Sequence, residues 1–193
     1  ARPPHSPQFS IICPIFNVSK YIRETIESIL RQTYKGWELI IVDGASTDGT
    51  VEIIKSYAKQ DPRIRVYSEP DEGPWHAVDK GLDLARGEFI AIVCGQDGFL
   101  DNEWLQKCAG VFKDEPDVSL VWGLSRGMTE DGRPLSETDA YSHFMNKENV
   151  SQVSSNILKK LLRTARELIT AKWSRKKFLI KKIFSPTAVF IIN

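Results

Sequence analysis

Short apolar runs alternate with polar loops and helical patterns through the first hundred residues, and this alternation limits the fold more than any other feature. The runs cover residues 9–13, 37–42, 64–67 and 89–93, and each is followed by a loop and a segment with helical periodicity. Continuous apolar runs of this length are typical of strands buried on both faces of a parallel sheet. The pattern predicts an α/β fold with a mainly parallel, doubly wound central sheet.

Acidic side chains follow two of these runs, and both are candidates for a ligand site. Asp43 comes directly after the second run and Asp97 shortly after the fourth, while a polar loop at 68–73 follows the third. Ligands of open α/β sheets bind outside the carboxyl ends of the strands, where loops from neighbouring strands converge. Asp-Gly pairs are also common in turns, so 96–98 alone is equally consistent with a simple turn.

Two common nucleotide-binding motifs are absent from the sequence. The first run leads into Cys13-Pro14-Ile15-Phe16, which has no glycine and cannot form the GxGxxG turn of a dinucleotide-binding fold. No GxxxxGK[ST] phosphate loop occurs anywhere in the chain. A nucleotide site in this chain must therefore be built differently.

The first half of the chain resembles the family 2 glycosyltransferases. Five segments match the family's motifs in order: SIICPIFN at 10–17, ELIIVDGASTDGT at 38–50, DPRIRVYSEPDEG at 61–73, AVDKGLDLARGEFI at 77–90 and GQD at 95–97. The resemblance is strong over 9–100 and weak beyond. It implies the GT-A fold, a three-layer α/β/α sandwich, and transfer of a sugar, with inversion, from a nucleotide-diphosphate donor.

The same resemblance implies a set of donor-binding residues. They are Pro14, Ile15, Asn17, Asp43, Asp71, Lys80, Gln96 and Asp97. Within this set, Asp43 matches the acid that reads the edge of uracil or an equivalent base, and Lys80 could offset phosphate charge. Asp97 matches the last acid of the family's metal-binding motif, which implies a Mg²⁺ or Mn²⁺ ion that neutralises the departing diphosphate.

Two departures from the family pattern concern charge and catalysis. The family commonly has a second acid at or just before Gln96, so metal affinity here would depend more on the diphosphate itself.

An inverting transferase also needs a carboxylate that deprotonates the acceptor hydroxyl. In the family this acid follows a strand that resembles the end of this chain, so we expect the base beyond Asn193. Glu137 and Asp139, in a polar segment at 136–154 that suits a lid, are weaker alternatives.

The domain organisation expected from the sequence is simple. Residues 1–8 contain three prolines and no periodicity, which indicates a linker or a cloning remnant. Residues 9–193 are expected to form a single GT-A domain that is incomplete at its C-terminal end, with a nucleotide-sugar half at 9–100 and an acceptor half at 101–193. In the acceptor half the patterns predict a helix at 102–112, a strand at 119–122, a hairpin at 126–134, a helix at 156–173 and a strand at 187–192.

The cysteines and the length of the apolar runs bear on location. Cys13, Cys94 and Cys108 lack metal-binding spacing, and we expect small buried side chains in a reducing compartment. No run approaches the roughly 20 apolar residues that cross a bilayer. These features predict a cytoplasmic protein, with peripheral contact at the inner face of the membrane as a further expectation.

The basic residues are unevenly distributed. Residues 159–182 contain ten of the 26 Lys and Arg residues but one of the 25 acids, which leaves the remaining chain with a net charge of −8. A cationic amphipathic helix over 156–182 could contact anionic lipid, and a helix packed on the domain with its basic side chains in solvent is the alternative. Nucleic-acid binding is not expected, because no recognised binding module is present.

The primary hypothesis is a metal-dependent, inverting glycosyltransferase that uses a UDP-sugar donor. Its acceptor would be a glycan or a lipid-linked glycan, as in surface polysaccharide synthesis. The rival is a nucleotide-sugar-binding module without catalysis, or an inactive fragment of a larger enzyme, which the amide at Gln96 and the missing base both favour.

Overall fold

The computed structural model describes residues 7–115, 118–122, 129, 179–182 and 190–192. The chain divides into two units, Ala1–Ser125 with Phe178–Asn193 and Arg126–Lys177, and the sheet and its helices belong to the first. The lid predicted at 136–154, with its acids, and the helix predicted at 156–173 lie outside the described residues, as does all of the hairpin segment except Thr129.

The described residues form a seven-stranded sheet in the order β3-β2-β1-β4-β7-β5-β6. The strands are β1 (Phe9–Ile15), β2 (Trp37–Asp43), β3 (Ile64–Ser68), β4 (Phe89–Ile92), β5 (Val118–Trp122), β6 (Leu179–Lys182) and β7 (Phe190–Ile192). The helices are α1 (Ile22–Leu30), α2 (Thr50–Gln60), α3 (Pro74–Leu84) and α4 (Trp104–Asp114). Strands β1 to β4 pair in parallel, which confirms the predicted mainly parallel α/β sheet. Strand β7 is antiparallel to both β4 and β5.

Strand β1 is the centre of the parallel part of the sheet. It pairs with β2 on one side and β4 on the other, so the strand order reverses at β1. All seven of its residues are buried. In open α/β sheets, a reversal of strand order leaves a crevice at the carboxyl ends of the adjacent strands, here β1 and β4.

The two faces of the sheet pack against different helices because successive side chains of a strand point to opposite faces. One face packs, among others, Ile11 of β1 with Ile26 of α1, Ile54 of α2 and Trp104 of α4. The other face packs Ile40 and Val42 of β2 against Ala77 of α3. Helices therefore cover both faces, as the three-layer expectation requires. Within the described part of the chain, no helix is long and apolar enough to span a membrane.

A buried acid network joins the first three strands to the end of α3. The Glu38 carboxylate accepts hydrogen bonds from Ser10 Oγ at 2.7 Å, from Arg65 at 2.9 Å and from the Arg86 backbone N–H at 2.8 Å. The Glu38 and Ser10 side chains are almost completely buried. A buried charge is tolerated only when it is paired and hydrogen-bonded, and this one meets both conditions.

The end of β1 differs from the prediction, which stopped the strand at Pro14. The strand continues to Ile15, and Pro14 lies opposite Val42 of β2. Ile15 O accepts from Gly44 N on the β2 side, while Ile12 O accepts from Val93 N on the β4 side. By alternation Pro14 faces the β4 side, where pairing with β4 has already ended at Ile12, so its missing N–H breaks no ladder bond.

Helix α1 begins at Ile22, after a turn that is closed by a Tyr21 N to Val18 O hydrogen bond. Two further expectations are corrected by the structure. Cys13 and Cys108 are buried as expected, but Cys94 is exposed. Leu179–Lys182, within the segment expected to form a cationic helix, is a strand that pairs in parallel with β5.

Asp48 and Gly49 immediately precede α2. The residue that caps α2 is Gly49, with a φ of 92° that suits glycine. The Asp48 carboxylate nevertheless accepts from Thr50 N at 3.1 Å and from Ser19 N at 2.9 Å, so it ties the start of α2 to the loop before α1. Hydrogen bonds from Thr50, chiefly its hydroxyl, and from Ser19 hold the Asp48 pKa well below its ordinary value.

Replacing Gly81 by alanine should destabilise the fold. An added Cβ would overlap Ile12 Cγ2 of β1, closer than carbon atoms can approach. Overpacking typically costs about 1–3 kcal/mol, which exceeds the gain of up to about 1 kcal/mol in helix propensity. We expect a lower free energy of unfolding in urea titrations. Gly110→Ala in α4, with nothing within 4 Å of its Cβ position, is the control and should be neutral or stabilising.

Asp48→Asn should make the protein less stable, and the loss should depend on pH. Because the folded-state pKa of Asp48 is lowered, its contribution is fully present above the ordinary value of 3.8 and disappears as the pH falls through the folded-state pKa. Urea titrations at pH 6 and at pH 2.5 would test this, and the difference between variant and wild type should shrink at the lower pH. A difference that is equal at both pH values would exclude the charge as its cause.

Candidate functional site

Four loops leave the carboxyl ends of the parallel strands at one edge of the sheet. They begin after Ile15 of β1, Asp43 of β2, Ser68 of β3 and Ile92 of β4. Because these four strands are parallel neighbours, their loops share this edge. The sequence-predicted donor residues lie in these loops or at these strand ends, except Lys80, which is in α3.

The loops after β1 and β2 are joined by reciprocal hydrogen bonds. Asn17 N donates to Ser46 Oγ at 2.7 Å, and Thr47 N donates to the Asn17 side-chain oxygen at 2.9 Å. Val18 N donates to Thr50 Oγ1 at 3.0 Å. Asn17 has a φ of 51°, a left-handed conformation that asparagine tolerates better than most residues. The two loops therefore form one connected wall.

Asp43 lies at the base of this wall and is completely buried. Its carboxylate accepts from Ser46 N at 3.0 Å, from the Ser68 hydroxyl at 2.7 Å and from the Ser46 hydroxyl. Ala45, between Asp43 and Ser46, has a φ of 64°, which is unusual for a residue with a Cβ. The surrounding hydrogen bonds hold this turn in place.

Asp71, from the loop after β3, closes on the loop after β2. One of its carboxylate oxygens accepts from Gly73 N at 2.8 Å. The other is so near Gly44 that an added Cβ there would be 3.0 Å away, and Gly44 N donates to Ile15 O at 3.0 Å. The structure thus brings Ile15, Gly44 and Asp71 together at this edge of the sheet.

Lys80, in α3, forms an ion pair with the loop that follows β3. Its Nζ forms an ion pair with Glu69 Oε1 at 2.8 Å, and this interaction lowers the pKa of Glu69. An incoming phosphate would have to compete with Glu69 for this ammonium group. The phosphate-binding role of Lys80 remains a prediction.

The loop after β4 packs against the loop after β1. An added Cβ at Gly95 would lie 2.5 Å from Ile15 Cγ2 and 3.0 Å from Val18 Cγ2, so only glycine allows this approach. Asp97 follows with its backbone N–H bonded to Cys94 O at 2.9 Å. Asp97 is surface-exposed, yet partial shielding of its carboxylate from water raises its pKa.

Oxygen chemistry at Asp97 fits a metal ion only in part. Among the described residues, no three His, Cys, Asp or Glu side chains are grouped to hold a metal ion. No basic side chain in this part of the chain forms an ion pair with Asp97. Mg²⁺ and Mn²⁺ are often held by one or two carboxylates together with substrate phosphates and water. The residues therefore fit a cation shared with a bound diphosphate and not a preformed metal centre. Although Cys94 is an exposed residue, partial shielding of its thiol from water and the Asp97 charge raise the pKa of Cys94, which disfavours the thiolate form that binds metal.

Sequence reasoning missed three residues of this edge. Ser46 and Ser68 hold Asp43, and Phe16 presents a ring that is 61% exposed beside Asn17. A large exposed aromatic residue directly after a buried strand was the available signal for Phe16. Trp75, at the start of α3, is also exposed, so it is not packed in the core.

Comparison with known proteins identifies the family and its relatives. The model of glycosyl transferase family 2 matches residues 10–184. TuaG of Bacillus subtilis, a glycosyltransferase named for teichuronic acid biosynthesis, is 36% identical over 132 residues, which are 68% of this chain and 52% of TuaG. The glycosyltransferase GlyG of Streptococcus pneumoniae is 42% identical over 94 residues, 48% of this chain and 31% of GlyG. The chain spans about half, or less, of the length of these relatives.

Two solved structures with a similar fold contain a nucleotide sugar. Staphylococcus aureus TarS 1–349 with UDP-GlcNAc has a TM-score of 0.59 and 28% identity, covering 67% of this chain and 37% of that one. The mannosyltransferase PcManGT of Pyrobaculum calidifontis, with GDP-Man and Mn²⁺, has a TM-score of 0.58 and 26% identity, covering 64% and 37%. The chain therefore has the GT-A fold and belongs to glycosyl transferase family 2.

Proposed function

We propose that this chain binds a UDP-sugar donor and contributes the donor site of an inverting glycosyltransferase. The acceptor is a glycan or a lipid-linked glycan of the type used in surface polysaccharide synthesis. The observation that carries the proposal is the convergence of four loops above a buried, hydrogen-bonded Asp43. TarS, a structural neighbour, is shown with UDP-GlcNAc, and TuaG is named for teichuronic acid biosynthesis.

The wall formed by the loops after β1 and β2 suits a nucleoside. Asp43 is an acceptor for a base N–H, and Asp71 is placed to accept hydrogen bonds from ribose hydroxyls. Pro14, Ile15 and Asn17 provide the adjoining backbone and side-chain surface. Phe16 adds an exposed ring on which a planar base can stack.

The diphosphate would lie toward the loop after β4. Asp97 has a carboxylate without an ion-pair partner among the described residues, and a divalent cation held by Asp97 and the diphosphate would lower the cost of its charge. When bound, that cation would neutralise charge on the departing diphosphate. Gln96 adds an amide oxygen but no charge.

Transfer also requires a carboxylate that accepts the proton of the acceptor hydroxyl, a contribution of about 10²–10⁴-fold in rate. We assign no such base among the described residues, and we propose that it lies on the acceptor side, beyond Asn193. A cytoplasmic location, with peripheral membrane contact through the part of the basic segment that precedes the strand Leu179–Lys182, would suit a lipid-linked acceptor.

Asp43→Ala should weaken UDP binding by about 1–3 kcal/mol, because the N–H of the bound base would be left without its acceptor. Isothermal calorimetry with UDP measures the affinity, and release of UDP from a UDP-sugar reports turnover. Asp114→Ala, at an exposed acid in the last turn of α4, is the matched control. Unchanged UDP affinity in a folded Asp43 variant would remove Asp43 from the site.

Metal binding should depend on the nucleotide. We expect Mn²⁺ alone to bind weakly, and Mn²⁺ to tighten UDP binding through Asp97. Asp97→Ala should abolish this metal-dependent gain, a change of at least about tenfold, while metal-free UDP affinity stays close to wild type. Gln96→Asp should enlarge the gain, because it adds a second charged oxygen ligand. Strong Mn²⁺ binding without nucleotide would contradict the shared-cation site.

A further inference from the structure

The Ser68 hydroxyl covers one oxygen of the buried Asp43 carboxylate. Ser68 is the last residue of β3 and lies opposite Asp43 in the parallel register of β2 and β3. Its hydroxyl donates to Asp43 Oδ2 at 2.7 Å, and Ser46 N donates to the same oxygen at 3.0 Å. A carboxylate oxygen has two lone pairs, so both acceptor positions of Oδ2 are taken.

The other oxygen, Oδ1, is less restricted. Its partner is the Ser46 hydroxyl, which also accepts a hydrogen bond from Asn17 N at 2.7 Å. A hydroxyl proton can rotate, so the Ser46 O–H can turn away from Oδ1 while its oxygen still accepts from Asn17. Asp43 is completely buried, so a base must displace part of this cover to reach the carboxylate. Among the described residues, Oδ1 has a single donor and so keeps one acceptor position for a base, whereas on Oδ2 the Ser46 backbone N–H cannot rotate away and Ser68 fills the second position.

This asymmetry distinguishes two bases that both carry a ring N–H. The edge of uracil presents one N–H between two carbonyl oxygens, which needs a single acceptor. The edge of guanine presents a ring N–H and an amino N–H side by side, and these are best matched by both oxygens of one carboxylate. The fold itself does not choose, because its structural neighbours are shown with UDP-GlcNAc and with GDP-Man.

We propose that Ser68 is a specificity-determining residue that occupies Asp43 Oδ2, leaves only Oδ1 for the base and thereby favours a uridine over a guanosine nucleotide. The proposal rests on the donor site proposed above and adds the residue that selects its base. Ser68 is itself exposed at the carboxyl edge of the sheet, so removal of its hydroxyl opens Oδ2 from the ligand side without making a cavity in the core.

The test is calorimetric titration of the full chain with UDP and, separately, with GDP. Wild type should prefer UDP, and Ser68→Ala should reduce the ratio of the GDP to the UDP dissociation constant by about fivefold or more, the value of one hydrogen bond. Ser68→Thr keeps the hydroxyl and should keep the wild-type ratio. Ser56→Ala, which removes a hydroxyl bonded only within α2, is the matched control and should also leave the ratio unchanged.

The outcomes separate this proposal from the donor site on which it rests. If wild type binds neither nucleotide, the proposal of a donor site is wrong, and so is the role proposed for Ser68. If wild type binds UDP but Ser68→Ala leaves the ratio within about twofold, the donor site stands and the assignment of Ser68 is overturned. Equal binding of UDP and GDP by wild type also overturns it. Circular dichroism spectra of each variant confirm that the fold is retained.

Discussion

The position of β1 between two parallel neighbours is the constraint on which the rest of the molecule depends. Its seven residues are buried, with α1, α2 and α4 packed on one face of the sheet and α3 on the other. A strand in this position has no freedom to shift register, because a slip by one residue would exchange its two faces. Its end at Ile15 is therefore fixed, and the loops on either side are built from that point.

The loops after β1 and β2 are ordered mainly by hydrogen bonds, whereas the loop after β4 packs against Ile15 and Val18. Asn17 and Ala45 adopt positive φ angles, and Asp43 places a carboxylate where no water reaches it. Each of these features is costly in isolation. The donors of Ser46 and Ser68, and the bonds between the loops after β1 and β2, offset that cost. The same contacts hold the fold together at this edge and shape the candidate site, so stability and ligand binding are coupled here.

The sheet could be predicted because buried parallel strands appear in the sequence as continuous apolar runs. The contacts between residues of the candidate site could not be predicted in this way. Apolar runs gave the positions of β1 to β4 to within two residues, and the polar loops after them located Asp43, Asp71 and Asp97. Pro14 was misread as a strand end because only the paired structure shows that its missing N–H faces a side where pairing has stopped. Ser68 was missed because its partner lies 25 residues away, and a strand register is not visible in one sequence.

The two acids at the centre of the site differ in a way that assigns them different tasks. Asp43 is surrounded by donors that fix its orientation before any ligand arrives, which suits selective recognition of a small, rigid base. Asp97 is partly desolvated, has a raised pKa and lacks an ion-pair partner among the described residues, so its ionised form gains most from a cation that comes with the ligand. With an amide at Gln96 in place of a second acid, the protein contributes little charge of its own to the cation. In the proposed donor site, the nucleoside side is thus preorganised, and the diphosphate side would be completed by the ligand.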